Sequence, residues 1–174
     1  MWCFVWQFQT LIVGGVGFIG VMATLAFNAW LARRQHDRAV SHEQTAVRVA
    51  LHAELEALAE MYRDRIAMLG ESEQGYTGAN VPLDAMTGVY KSIISRVGLL
   101  SAAELRPVLR AYLLAEQLPE RIRVLADSTV ATAPGYVHIP IRYFATAVQL
   151  HRNYLSVIEQ GITALSAGSP QRKT

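Results

Sequence analysis

The first 32 residues of this 174-residue chain contain no Asp, Glu, Lys, Arg or His. Every charged side chain lies from Arg33 onward, and over the whole chain 16 Lys and Arg nearly balance 14 Asp and Glu. A net charge of +2 supplies no global basic field, which excludes the electrostatic footprint of a nucleic-acid binder. Cysteine is nearly absent too. The single residue, Cys3, allows no intramolecular disulfide and no cysteine metal cage. Between Arg33 and Leu69 there is neither proline nor glycine, so nothing in that stretch interrupts a helix.

What fills the uncharged N-terminal region is an apolar run that contains "LIVGGVGFIG", Leu11 to Gly20. As G-x-G-x-x-G, Gly15, Gly17 and Gly20 match the fingerprint of an NAD(P)-binding Rossmann turn, with Asp37 near the spacing of a ribose-binding acid. That motif requires a second buried strand ending at the acid. Here the acid sits in the polar "ARRQHDRAVSHEQ", and no series of strands and no Tyr-x-x-x-Lys pair follows. The membrane reading requires less. Phe8 to Leu31 would form a helix of about 36 Å, against a hydrocarbon core of about 30 Å. Trp2 and Trp6 at one end and Trp30 at the other suit the two interfaces. The N-terminus lacks the basic region of a signal peptide, and the apolar run is long for one. Residues 1–32 therefore read as a transmembrane anchor.

Arg33, Arg34 and Arg38 flank the C-terminal end of this span. The positive-inside rule places the short N-terminus outside and the main domain in the cytoplasm. The same arginines suit contact with anionic lipid headgroups. On a helix, Thr10, Gly14, Gly17, Gly20, Thr24 and Asn28 fall within a sector of roughly 120°. Such a small, weakly polar face lets a second transmembrane helix approach closely, from another copy or another protein.

Residues 33–46 read as a helical stalk and 47–167 as a cytoplasmic helical bundle, with a flexible tail at 168–174. Val47, Leu51, Leu55, Leu58, Tyr62, Ile66 and Leu69 recur at spacings of three and four, the seam of a packed helix. "GESEQGYTGANVP" reads as a loop. A second helix is expected over Leu83–Val97, with Met86, Tyr90, Ile93 and Val97 on one face and Gly98 as its cap. "SAAE", Ser101 to Glu104, is a capping box opening a third helix. Its core face is Leu105, Val108, Leu109, Tyr112 and Leu113, with a kink or break expected near Pro119. A fourth begins near Pro140 and buries Phe144, Val148, His151, Leu155, Ile158, Ile162 and Leu165. The fold class expected is all-α: one N-terminal transmembrane helix continuing into an antiparallel bundle of about four helices. Only "GYVHIPI" suggests brief extension.

The segments "FNAWLARRQHDRAVSHEQTAVRVALHAEL", "VYKSIISRVGLLSAAELRPVLRAYLL" and "LHRNYL" resemble a group of uncharacterised bacterial single-pass membrane proteins. Their glycine-rich span ends in an Asn-Ala-x-x-Ala-Arg-Arg type of boundary, here Asn28 to Arg34. The resemblance covers most of the chain. It implies the anchored helical architecture and a bacterial inner membrane location, and it carries over no activity and no site residues.

Catalytic and metal motifs are not found at recognised spacings. "HEQTA" starts like a zinc-protease helix, but the second ligand position is Ala46. Five histidines are present, His36, His42, His52, His138 and His151; His42 and His52, with Glu43, Glu54 and Glu56 nearby, read as a solvated helix face. His151, inside an apolar stripe, reads as a core histidine with a satisfied hydrogen bond rather than as a ligand or pH switch. "EMYRDR" and "LPERIR" read as charged helix surface, as do Arg106 and Arg110. The expectation is a non-enzymatic interaction or scaffold protein without a cofactor, partnered by membrane lipid and by protein or by itself. The alternative is an accessory subunit of a larger membrane complex.

Overall fold

The computed structural model describes the backbone of residues 3–70 and 77–168, and the side chains of Phe18 and of residues 20–70 and 77–168. The chain is mostly helical and divides into two compact units, Met1–Glu43 and Gln44–Thr174. Helix α1 spans Cys3–Gly70, as the absence of breakers after Arg33 requires. Then come strand β1 (Gly78–Pro82), helix α2 (Gly88–Ile93), a 3₁₀ segment (Ile94–Leu99) and helix α3 (Ala102–Arg123). Strand β2 (Tyr136–Pro140), a 3₁₀ turn (Ile141–Tyr143) and helix α4 (Phe144–Ala167) complete the order.

The second unit is built around α1, α3 and α4. Leu51, Leu55, Leu58 and Tyr62 of α1 are at most 1% exposed. They share one core with Val108, Tyr112, Leu118 and Ile122 of α3 and Phe144, Ile158 and Leu165 of α4. The spacings of three and four on α1 and α4 thus mark the buried faces. On α3 the core face is rotated from the expected one. Ala111 and Ala115 are buried while Leu113 is 57% exposed, because two alanines let a neighbouring helix pack closely there. Gly161 of α4 serves the same approach: a Cβ there would lie 3.1 Å from Leu55 Cδ1 and 3.4 Å from Ala111 Cβ.

The helices are not arranged as a simple antiparallel bundle. Arg48 bonds Glu104, and Glu54 bonds Tyr112, so α1 and α3 run in the same direction. His52 meets Ser166 and Arg63 meets Glu159, so α4 runs opposite to α1. Parallel neighbours need a connection that travels back along their length. Residues 83–99 provide it: Arg65 lies near Asp84, Glu54 bonds Val89 and Tyr90, and Gln44 bonds Leu99. This return path also explains the shortened second helix. The Leu83 amide donates to Gly135 O, which continues the strand pairing. Asp84 then accepts from the Met86 amide, and Met86 adopts φ 46°, so helix begins only after Thr87.

Two further expectations are corrected. β1 and β2 form a two-stranded antiparallel sheet with Ala79 opposite Ile139 and Val81 opposite Val137. Each strand has five residues and buries one side chain fully, Val81 and Ile139, too short a pattern for period two to show. Of the kink or break expected near Pro119, a break does not occur: α3 runs through the proline to Arg123, with Leu118 and Ile122 buried on either side of it. The capping box at Ser101 is formed: Glu104 N donates to Ser101 Oγ, and Ser101 N donates back to Glu104 Oε2.

Candidate functional site

Two features of the described residues stand out. The first is the uncovered part of α1. Phe18, Val21, Met22, Leu25, Phe27 and Trp30 are all more than half exposed. These apolar side chains are exposed all round the helix and are covered by none of the described residues of the chain. At its C-terminal end the Phe27 and Trp30 rings lie 5.9 Å apart, and the Arg34 guanidinium lies 5.2 Å from the Trp30 ring centroid. Arg33, Arg34 and Arg38 are exposed. Among the described residues no helix is long and apolar enough to cross a membrane.

Of the expected helix-packing face, Thr10, Gly14 and Gly17 lie outside the described side chains. Gly20 has open space where a Cβ would stand, Thr24 Oγ1 donates to Gly20 O at 2.8 Å, and Asn28 is exposed. The backbone is helical through Gly15–Gly20, whereas a dinucleotide turn needs a strand leading into it.

The second feature is a buried polar cluster between α1 and α4. His151 is fully buried, Tyr62 is 1% exposed, Tyr154 5% and Arg65 7%. The His151 ring stands edge-on to Tyr62, with centroids 5.6 Å apart and planes at 80°. The Arg65 guanidinium lies 6.0 Å from the Tyr62 centroid. His151 Nδ1 lies 2.8 Å from Ala147 O, and since a carbonyl only accepts, Nδ1 carries the proton. The expected satisfied histidine is thus satisfied on one side. His151 Nε2, Tyr62 Oη, Tyr154 Oη and Arg65 Nε are buried without a hydrogen-bond partner among the described residues. Each such atom costs about 1–3 kcal/mol.

Burial governs the ionisation of all four. It raises the Tyr62 hydroxyl, with Arg65 opposing, and raises that of Tyr154, with Arg121 opposing. Burial lowers Arg65, against the influence of Tyr62, Asp84 and Tyr136. It also lowers His151, which the bond to Ala147 counteracts and the charge of Arg65 reinforces. At neutral pH the set is one cation, one neutral imidazole and two neutral phenols.

The other histidines are structural or solvated. His36 and His42 are exposed, and His52 lies 2.9 Å from Ser166 Oγ and 3.3 Å from Glu56. His138 faces Asn80 and covers Gly78. Among the described residues no three His, Cys, Asp or Glu side chains form a metal-binding group. "EMYRDR" is not merely helix surface: Arg63 reaches across to Glu159 at 2.7 Å and Arg65 is buried. Arg106 and Arg110 are exposed, and in "LPERIR" Glu120 pairs with Arg123. The sequence did carry a signal for the buried cluster. Tyr62 lies in the seam and Arg65 is one turn on, while Tyr154 is one turn from His151. Which side of each seam closes over them is set by packing.

Compared with protein-family models, characterised proteins and solved structures, the chain matches none of them.

Proposed function

We propose that this chain is a membrane-anchored, non-enzymatic helical interaction protein. Its N-terminal helix spans the bacterial inner membrane and its main domain docks a protein partner in the cytoplasm. The observation that carries this reading is the uncovered apolar stretch from Phe18 to Leu31, closed by Trp30 and Arg34 and followed by Arg33 and Arg38. That stretch alone measures about 21 Å of helix, short of a bilayer core. The proposed span begins at Phe8 and draws its first turns from residues outside the described side chains. Lipid chains would cover the apolar surface, and the arginines would sit among the headgroups on the cytoplasmic side.

The test is extraction of membranes with alkaline carbonate. The native chain is expected in the membrane pellet, and Val21→Arg in the soluble fraction, since an arginine near mid-span costs about 2.5–3.5 kcal/mol. Recovery of the native chain in the supernatant would overturn the reading.

A second reading, an accessory subunit of a larger membrane complex, is favoured by the open surface at Gly20 and the internally bonded Thr24 hydroxyl. These leave a smooth strip for a neighbouring helix. Leucine at Gly17 or Gly20 is then expected to release the chain from a complex purified in mild detergent. Unchanged co-purification would count against it.

A further inference from the structure

The end of α3 and the first half of α4 flank an open groove of about 670 Å³. Arg121, Val124 and Leu125 line it from α3 and the turn that follows. Gln149, Leu150 and Asn153 line it from α4. Its floor is apolar: Leu125 and Leu150 are half-buried, and Val124 is 83% exposed. An apolar strip with a polar rim is the form of a surface that receives one face of an amphipathic helix.

The rim carries charge of one sign. Arg121 is exposed on α3. Arg152 is exposed on α4, one turn beyond Gln149 and on its face of the helix. No Asp or Glu occurs from Ser128 to Ile158, so α4 brings no acid to this groove. The acids of α3 and the turn after it are engaged elsewhere. Glu116 pairs with Lys91 of α2, and Glu120 pairs with Arg123. Asp127 accepts from the amide and hydroxyl of Thr129 and feels the charge of Arg142. Gln149 Nε2 donates to Asn153 Oδ1 at 2.9 Å, which leaves the Asn153 side-chain N–H groups to donate to a ligand.

We infer that this groove docks an acidic amphipathic helix of a partner protein. Apolar side chains of the partner, spaced three and four apart, cover Val124, Leu125 and Leu150. Its flanking carboxylates meet Arg121 on one wall and Arg152 and Asn153 on the other. The floor supplies affinity, and the rim selects the sign of the partner's charge and speeds its approach. A basic helix would meet the same floor and be repelled by both walls. A nucleic acid would set phosphates against the apolar floor, with only two arginines to hold them. The inference rests on the reading of the main domain as a protein-docking module, and it is independent of the membrane anchor.

The experiment uses the full chain in nanodiscs of zwitterionic lipid, which leave the groove free of detergent. Three labelled synthetic helices share one pattern of leucines at i, i+3, i+4 and i+7 and carry Glu, Gln or Lys at their other positions. Fluorescence anisotropy reads their binding. The Glu helix is expected to bind about tenfold more tightly than the Gln helix, and the Lys helix not at all. Added salt should narrow the gap between Glu and Gln. Arg121→Glu and Arg152→Glu are each expected to weaken the Glu helix about tenfold. Val124→Ser should weaken the Glu and Gln helices alike, about fivefold. All three positions are exposed, so unchanged thermal midpoints are expected to accompany these losses. Arg106→Glu, at the other end of α3, should leave binding as it is. Equal binding of the three helices, binding of none, or undiminished binding in the Arg121, Val124 and Arg152 variants would overturn the inference. Self-association of the native chain that Arg121→Glu abolishes would overturn it too, in favour of a second copy as the occupant. A chain that stays in the carbonate pellet yet binds no helix would refute the groove and leave the anchor standing. A chain that binds the Glu helix but is extracted by carbonate would do the reverse.

Discussion

At Glu104 two opposing effects act on one carboxyl. Burial alone would raise its pKa, but hydrogen bonds from Arg48, at 2.6 Å, and from Ser101 outweigh it and hold the pKa at about 2. A carboxyl whose folded value lies below its reference of 4.5 stabilises the fold above that pH, and the contribution fades as pH falls towards 2. Its size is on the order of 3 kcal/mol. Glu104→Gln is expected to lower stability at pH 7 and to flatten the stability curve between those two values, as denaturant titrations across that range would show. Gly168 packs against this junction, where a Cβ would stand 1.9 Å from Glu104 Oε1. Gly78 is constrained differently. A Cβ there would lie 2.4 Å from both the His138 ring and the Ile139 backbone oxygen, and backbone cannot step aside. Gly78→Ala is expected to cost about 1–3 kcal/mol, read as a lowered thermal midpoint.

Helix α2 shows how an element too weak to stand alone is held by another. It has six residues, and the side chain of its N-cap Thr87 makes no capping bond. The cap comes instead from α1: Glu54 accepts from the Val89 amide at 2.7 Å and the Tyr90 amide at 2.8 Å. The same carboxylate accepts from Tyr112 Oη at 2.8 Å, and Tyr90 stacks on Tyr112 with centroids 4.1 Å apart. One side chain thus ties three helices together. Glu54→Ala is expected to destabilise the domain by about 2–4 kcal/mol, because it strands two amides and a hydroxyl. Amide exchange should quicken first at Val89 and Tyr90. Exchange that quickens evenly over the whole domain would show that the cap is not what holds α2.

At the scale of the molecule, the path between α1 and α3 decides the topology. Residues 83–99 run back along α1 and set α3 parallel to it, with α4 antiparallel to both. Among the described residues α1 bonds α2, α3 and α4 in turn, through Glu54, Arg48 and Arg63. Leu55 packs against Gly161 at the centre of this arrangement. Leu55→Ala is expected to cost about 2–5 kcal/mol, and urea titration should show one cooperative loss of the α1, α3 and α4 signals.

Much of this architecture is legible in the residues alone. The charge-free start, the breaker-free stretch after Arg33, the seams of α1 and α4 and the Ser101–Glu104 cap are local patterns, and local backbone geometry produces them directly. The sheet, the length of α2 and the direction of α3 are not local. They depend on Leu83 finding Gly135 and Glu54 finding Val89 across large sequence separations, which no window of neighbouring residues contains. The buried cluster is of the second kind as well. Tyr62, Arg65, His151 and Tyr154 read as seam and surface until α4 folds back against α1. Only that packing takes a guanidinium and two hydroxyls out of water together, and desolvation gives the four side chains their distinctive chemistry.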